Sequence, residues 1–450
     1  MKKNHDTAQF IKEIVLLALP AGFQHVINLA VNLFDNLMIG SLGEASISAV
    51  SICGTYMWLV NTFVNGLAGG AVIIAAQDWG KGNTSRIKKL MSLLLIMSLS
   101  IGLIFFVITT FFPEQILMIY SDAPEIIEPG CGYLHYIKYS FPMVSISFAI
   151  MVMLRSVRSV KLGLYNSILT CGINVFFNWV FIFGKLGSPA MGAAGAALAT
   201  TISYTVQAMV SLAYLFRFEK NLKFRIKEFN PFIDGKLFRQ FIQITLPLLI
   251  IDVMTNLSSS AQTMITGRIS TNYVTANSIV HMGWQIPNVF CWGVAMSASV
   301  MVGNALGAKD FEKAKADSRR FIVVSVCMGL FSAIMLQVIL PFLIQYYNVT
   351  DSTRILARQM GYSASVTVFF LATMATLCNG VIKSAGNTQR LLKVDLLATW
   401  LVATPLGFIG AFVLGWPAAV LYLVLRSGNI LKTIWALIRL HKGDWMQNLS

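Results

Sequence analysis

Two stretches decide the fold: NLMIGSLGEASISAVSI at 36–52 and TMITGRISTNYVTANSI at 263–279. A shift of 227 residues lays the first on the second, pairing Gly40 with Gly267, Ala49 with Ala276, and Ser51-Ile52 with Ser278-Ile279. The same shift pairs Pro20 with Pro247, Gly66 with Gly293, Gly80 with Gly307 and Lys88 with Lys315, without a gap. The matched residues are Pro, Gly and Lys, which punctuate helices, rather than the apolar filler that any two membrane helices share. The chain is therefore read as an internal repeat.

The surroundings of the repeat are unusually apolar. Of 450 residues, 56% are hydrophobic and 12% charged, against about 25% charged in an ordinary soluble domain. The mean hydropathy is +0.69. Such a chain cannot cover soluble domains with polar surface, and it reads as a multi-pass membrane protein. A bilayer core asks for about 20 apolar residues per helix. Runs of that length lie near 14–39, 48–76, 90–112, 132–154, 162–184 and 192–216, and again near 238–266, 274–302, 321–344, 360–382, 391–414 and 417–440. The expected fold is an all-α membrane protein with twelve transmembrane helices in two six-helix lobes. Residues 1–216 form the N-terminal lobe, 217–239 a cytoplasmic linker and 240–450 the C-terminal lobe. An even number of spans per half makes the repeat parallel, and in transporters built this way the substrate site lies near mid-membrane at the repeat interface.

The net charge of +15 does not indicate nucleic-acid binding, because the basic residues sit in short loops between apolar runs. Residues 78–89, 155–161, 217–239 and 305–320 are rich in Lys and Arg, whereas 113–130 holds Glu114, Asp122, Glu125 and Glu128 and no basic residue. This alternation places the basic loops and both termini in the cytoplasm and the protein in the cytoplasmic membrane. The six cysteines are scattered, with no CxxC or Cys/His spacing, so neither a zinc site nor a disulfide framework is expected. The first apolar run lacks a cleavage site and suits a span. GKGNT at 80–84 lacks the lysine-hydroxyl pair of a phosphate loop, which disfavours ATP-driven transport. No GxSxG nucleophile motif occurs, and no enzymatic activity is expected.

Polar residues inside spans carry the functional signal. An ionised side chain at mid-membrane costs about 2.5–3.5 kcal/mol on insertion scales, so it faces a cavity or a partner. His25, Asn28, Asn32 and Asp35 follow i, i+3, i+7, i+10 and share a helix face. Asp35 can take up a proton or hold a small cation; alternatively it is a hydrated carboxylate near the membrane edge. Asn166, Thr170, Asn174 and Asn178 recur every four residues in the fifth span. They offer uncharged oxygen ligands and amide donors, or simply hydrogen bonds between helices. In the seventh span Asp252 and Asn256 follow Pro247; by the repeat offset Asp252 takes the place of His25, and Gln262 that of Asp35. His281, Gln285 and Asn288 share a face of the eighth span beside Trp284. Lys138 is expected to snorkel outward, and Asp395 to sit at the cytoplasmic end of its span. Pro20 and Pro247 permit kinks, movable or static. Most of the 21 Met and 30 Phe residues are expected to serve packing and lipid contact.

Longer stretches carry a family resemblance. ALPAGFQHVINLAVNLFDNLMIGSLGEASISAVSI at 18–52, VNGLAGGAVIIAAQDWGKGN at 64–83, NVFFNWVFIFG at 174–184, MGAAGAALATTISY at 191–204, GWQIPNVFCWGVAMSASVMVGNALGAKDFEKAK at 283–315 and NGVIKSAGNTQRLLKVDLLATWLVATPLGFIGAFVLG at 379–415 resemble the multidrug and toxic compound extrusion (MATE) family. The resemblance covers nearly the whole chain. It implies a cation-coupled exporter with two lobes around a central cavity, a small-molecule substrate, a lipid bilayer as surroundings and no cofactor beyond a coupling ion, H⁺ or Na⁺. The protein is expected to act as a monomer. By this resemblance Asp35 is the coupling acid, and Asn174, Asn178 and Thr200 (with Thr201 a near alternative) complete a cation site. Asp252 is a second coupling or substrate acid. Many members carry Asn-x-x-x-Asp where this chain has Asn174-x-x-x-Asn178, and the missing carboxylate weakens a sodium site. A lipid-linked precursor flippase of the same superfamily would need a cationic cavity, whereas acids and amides stand here. An uncoupled channel or receptor is disfavoured by the two-lobe repeat.

Overall fold

The computed structural model describes residues 2–40, 42–232, 234–347 and 349–446. These residues form helices and turns, with no strand among them. The α-helices run in chain order α1 Lys2–Gly40, α2 Glu44–Gly80, α3 Thr84–Phe111, α4 Pro113–Met118, α5 Pro124–Ile137, α6 Ser140–Ser156, α7 Lys161–Phe183, α8 Ala193–Ala213, α9 Gly235–Gly267, α10 Thr271–Gly307, α11 Phe311–Tyr346, α12 Asp351–Met374, α13 Thr388–Leu396, α14 Thr404–Phe412, α15 Ala418–Leu425 and α16 Gly428–Lys442. Short π-helical segments, Tyr214–Phe218, Ala375–Ile382 and Leu397–Ala403, extend α8 and α12 and join α13 to α14.

Among the described residues ten helices are long and apolar enough to cross a bilayer, and two bent pairs bring the number to twelve if each pair is one span. The pairs are α5 with α6, bent by 52° at Lys138-Tyr139, and α15 with α16, bent by 43° at Arg426-Ser427. The sequence reads each as one continuous run because the single charge at each break, Lys138 or Arg426, is outweighed by the apolar residues on both sides. A serine at each break, Ser140 just after the first and Ser427 within the second, turns its hydroxyl back onto a carbonyl of the preceding helix, Ser140 to Ile137 at 2.6 Å and Ser427 to Val424 at 2.7 Å. Lipid as the surrounding solvent shows on α11, where Leu330, Phe331, Ile334, Val338 and Phe342 form an exposed apolar stripe at helical spacing.

The chain forms two compact units. One contains residues 1–22, 76–82 and 243–450, the other 23–75 and 83–242. In the unit containing 23–75, Ile39, Tyr56, Val60, Leu117, Leu134, Phe141 and Ile182 gather into a core. The corresponding cluster of the other unit includes Tyr273, Val280, Leu336, Leu340, Met360 and Tyr422.

The repeat is visible in local geometry. At the end of α2, Gly82 has φ +74° and Asn83 caps α3 by accepting from the Arg86 N–H at 3.2 Å. At the end of α10, 227 residues on, Lys309 has φ +59° and Asp310 caps α11 by accepting from the Lys313 N–H at 3.0 Å. Both halves thus use a left-handed residue followed by an Asx cap. The repeat-matched Gly80 and Gly307 also permit close backbone approach: a Cβ on Gly80 would lie 1.9 Å from the Asn304 carbonyl oxygen, and one on Gly307 would lie 1.8 Å from that of Gln77. GKGNT is this helix-to-helix turn.

The loops are shorter than the charge pattern suggests. Arg155 lies on the last turn of α6 and is buried, its Nη2 donating to Gln24 Oε1 at 2.7 Å. Lys313, Lys315, Arg319 and Arg320 lie on the first turns of α11, leaving 308–310 as the connection. The linker is folded: Glu219 accepts from the N–H groups of Asn221, Leu222 and Lys223 at 2.7, 2.7 and 2.8 Å, and Leu222 and Phe224 are buried.

Candidate functional site

In the unit containing residues 23–75 and 83–242, the polar residues of three helices meet. Asn174 and Asn178 are one turn apart on α7 and both are fully buried. Their face turns toward α8, whose opening stretch AAGAALA is built of small side chains. Gly195 is the close-approach point, because a Cβ there would sit 2.6 Å from the Phe181 carbonyl oxygen of α7. That tight seam brings Thr200 to Asn174, whose Nδ2 donates to Thr200 Oγ1 at 3.2 Å. Asn178 Nδ2 donates to Asn174 Oδ1 at 3.1 Å and also to Asp35 Oδ1 on α1. The result is a continuous array, Asp35–Asn178–Asn174–Thr200. Thr201, one residue on, turns instead to the Tyr136 carbonyl at 2.9 Å.

Asp35 is half-buried. Both hydrogens of the Asn178 amide are committed, one to the Asp35 carboxylate and one to Asn174, while its Oδ1 is buried with no hydrogen-bond partner. An oxygen left this way next to a carboxylate is a vacant acceptor for a proton donor or ligand for a cation. The phenols of Tyr133 and Tyr204 lie within electrostatic reach of Asp35. Further along α1, Asn28 and Asn32 are exposed, the Asn32 amide donating to the Asn28 carbonyl at 3.0 Å, and His25 is half-buried within electrostatic reach of Arg155. The lower part of the α7 stripe serves packing: Asn166 Nδ2 donates to Ser211 Oγ at 2.7 Å and Thr170 Oγ1 to the Asn166 carbonyl at 2.7 Å.

The candidates of the second half stand apart from one another. Asp252 on α9 is half-buried and feels the charges of Lys383 and Asp395. Asn256 donates to the Asp252 backbone carbonyl at 2.5 Å, not to its carboxylate. Asp395 is not merely at a span end; it pairs with Lys432 Nζ at 2.7 Å, both side chains largely buried. His281 Nδ1 and Gln285 Nε2 are 3.0 Å apart, and the His281 ring meets Trp284 edge-on at 4.9 Å. The sequence reading missed Lys383, which falls at a span end, and Lys432, whose partner Asp395 lies 37 residues away in the chain. It also placed Lys138 outward, whereas Lys138 is buried with Nζ over the rings of Phe106 at 5.9 Å and Tyr139 at 5.5 Å. Among the described residues no three His, Cys, Asp or Glu side chains gather as a metal cluster.

A family described as MatE matches residues 20–180 and 247–409, once in each half. The chain belongs to the MatE family. Curated relatives cover most of the MATE chain. It is similar to the probable multidrug resistance protein YoeA of Bacillus subtilis strain 168, 22% identical over 441 residues and covering 94% of each chain. It is similar also to the probable multidrug resistance protein NorM of Bradyrhizobium diazoefficiens, 25% identical over 434 residues, 95% of this chain and 92% of that one. Among solved structures, a MOP superfamily transporter from Pyrococcus furiosus superimposes with a TM-score of 0.86 at 16% identity, covering 96% of each chain. The Vibrio cholerae MATE transporter VcmN in its bent form superimposes with 0.85 at 17% identity, covering 98% of this chain and 99% of that one. These likenesses establish the fold of a multi-pass membrane protein in a family of transporters, not enzymes.

Proposed function

We propose that this MATE protein is a secondary active antiporter that exports organic compounds, often cationic or amphipathic, in exchange for inward H⁺ or Na⁺. The curated relatives are named as multidrug resistance proteins. The observation that carries the reading is the array Asp35–Asn178–Asn174–Thr200 inside membrane-spanning helices. Asp35 is the coupling acid, Asn174, Asn178 and Thr200 complete its site, and Asp252 is a second acid that shares coupling or attracts cargo. His25, Asn28, Asn32, Asn256, His281 and Gln285 line the path. The lobes 1–216 and 240–450, joined by 217–239, act as one monomer in the cytoplasmic membrane with both termini inside.

The chemistry favours the proton. A sodium site asks for several charged or carbonyl oxygens, and this array supplies one carboxylate with neutral groups. When Asp35 takes a proton it becomes a donor, and rotation of the Asn178 amide presents Oδ1 to that O–H. The vacant acceptor is then filled and the pairing with Asn174 is exchanged. Proton binding at Asp35 removes the charge that attracts a cationic cargo, so each ligand disfavours the other and exchange follows. Right-side-out and inverted vesicles loaded with a fluorescent organic cation test this under an imposed pH gradient or an imposed sodium gradient. Uphill cargo movement that follows the pH gradient supports the reading. Equilibration that stops at equal concentrations under both gradients contradicts it.

A further inference from the structure

α11 and α16 bring their cation-bearing ends to the same membrane face, and a groove of about 520 Å³ opens there within one compact unit. Its rim carries Lys315, Arg319, His441 and Lys442, and its floor is Ile322, Leu437, Ile438 and Leu440. Along both helices the cations lie nearer the helix end than Ile322, Leu437 and Ile438, while Leu440 and Trp445 complete the lining beside the cations. Ile322 lies one to two turns further into the membrane along α11 than Lys315 and Arg319. Leu437 and Ile438 lie one turn further in along α16 than His441 and Lys442. The rim cations are not consumed by the protein. Asp317 turns to Arg320 at 3.2 Å and Asp444 to Arg439. Among the described residues Lys315, Arg319 and Lys442 have no carboxylate partner.

We infer that this groove is a binding site for an anionic phospholipid of the surrounding leaflet. The headgroup phosphate lies against Lys315, Arg319 and Lys442, and one acyl chain runs down over Ile322, Leu437 and Ile438. A cationic rim above an apolar floor matches the headgroup-to-chain polarity of a phospholipid and no soluble anion, which would leave the floor bare. Juxtamembrane cations add binding to anionic leaflets individually, and pockets of this kind between helices select acidic headgroups. The planar Arg319 fork can grip two phosphate oxygens at once, while the lysines act as point charges. The site spans α11 and the chain's last helix, so an occupant would tie α16 to the span that follows the second repeat turn.

The full-length protein in vesicles of phosphatidylethanolamine with a minor share of photoreactive phosphatidylglycerol tests the inference. Peptide mapping after irradiation should find the label concentrated in 315–322 and 437–445, and a photoreactive phosphatidylethanolamine should leave those peptides at background. The triple neutralisation Lys315→Gln, Arg319→Gln, Lys442→Gln should weaken phosphatidylglycerol retention about a hundredfold. The charge-conserving set Lys315→Arg, Arg319→Lys, Lys442→Arg should retain most of it. Neutralising Lys220, Lys223 and Lys227 in the linker removes the same charge and should leave it within about twofold. Labelling of these peptides equally by both lipids, labelling only elsewhere, or equal losses in the groove and linker variants would overturn the site. If the neutralised variant does not fold, the wild-type labelling contrast between the two lipids decides alone.

Discussion

Asp35, Asn174 and Asn178 stood out in the sequence because a polar side chain in a run of Leu, Val and Phe must face a cavity, a partner or the membrane edge. Their mutual contact was not legible, since spacing along α7 says which face Asn174 and Asn178 share but not what faces it. The amide pair is the point to perturb. Asn178→Asp places a second carboxylate beside Asp35, and two acids so close either share a proton or hold a cation between them. Efflux in this variant should gain a dependence on the sodium gradient that the parent lacks; an unchanged preference between the gradients would count against the array as the coupling site. Asn174 bears on Asp35 less directly, through the Asn178 amide that it accepts from. A purely structural residue gives a second, independent check. Lys309 sits at φ +59° where the first half of the chain has Gly82. Lys309→Gly relieves a left-handed conformation disfavoured by about 1 kcal/mol in a residue with a Cβ. It should raise the thermal midpoint slightly in detergent, and a lowered midpoint would mean that the Lys309 side chain contributes more than its backbone strain costs.

At the scale of elements, hydropathy found the spans but not their breaks, because a bend in a membrane helix needs only two residues and the long apolar runs on either side outweigh them in composition. Lys138 shows the cost of that blindness: it sits at the break between α5 and α6, buried against Phe106 and Tyr139 rather than reaching outward. The turns between α2 and α3 and between α10 and α11 were more legible, since Gly, Asn and Asp announce them. Their tightness is testable. Gly307→Ala puts a Cβ onto the Gln77 carbonyl oxygen, where backbone must shift. Overpacking of this kind costs about 1–3 kcal/mol, and the thermal midpoint should fall visibly, while Gly40→Ala, with open space around it, should change little. An undiminished midpoint for Gly307→Ala would show that the two helix ends can separate. The linker answers to pH. Burial alone would raise the Glu228 carboxyl, but the Lys88 ammonium and the Arg225 N–H outweigh it and hold Glu228 below the ordinary carboxylate range. A carboxyl depressed in the folded state contributes stability above its unfolded range and loses it as pH falls through the depressed range. Hydrogen exchange of 225–230 should therefore accelerate, relative to its intrinsic rate, only in strongly acidic buffer. Lys88→Gln should bring that opening to neutral pH, and equal protection in both proteins would remove the pair from the linker's docking.

For the molecule as a whole, the repeat was the most legible feature and also the most informative. One offset relates the prolines of α1 and α9, the paired glycines at 80 and 307, and the caps Asn83 and Asp310, so the two halves share connections as well as composition. What no local pattern announces is the company that residues 1–22 and 76–82 keep, for they cluster with 243–450. α1 passes from one unit to the other just after Pro20, and Asp35 lies further along that same helix. The buried pair Asp395–Lys432 and the neighbouring Asp252 and Lys383 were half-hidden, because their carboxylates stood out in the sequence and the lysines that face them did not. The central claim is that one carboxylate on α1, held by the Asn178 amide of α7 and through it linked to Asn174, couples cation entry to cargo exit. Asp35→Asn, reconstituted in vesicles beside the parent protein, keeps the side chain's shape and removes its proton and charge. The account predicts that gradient-driven accumulation of the organic cation falls to background while the folded protein's thermal midpoint stays within a few degrees of the parent. Full gradient-driven accumulation in Asp35→Asn would contradict it.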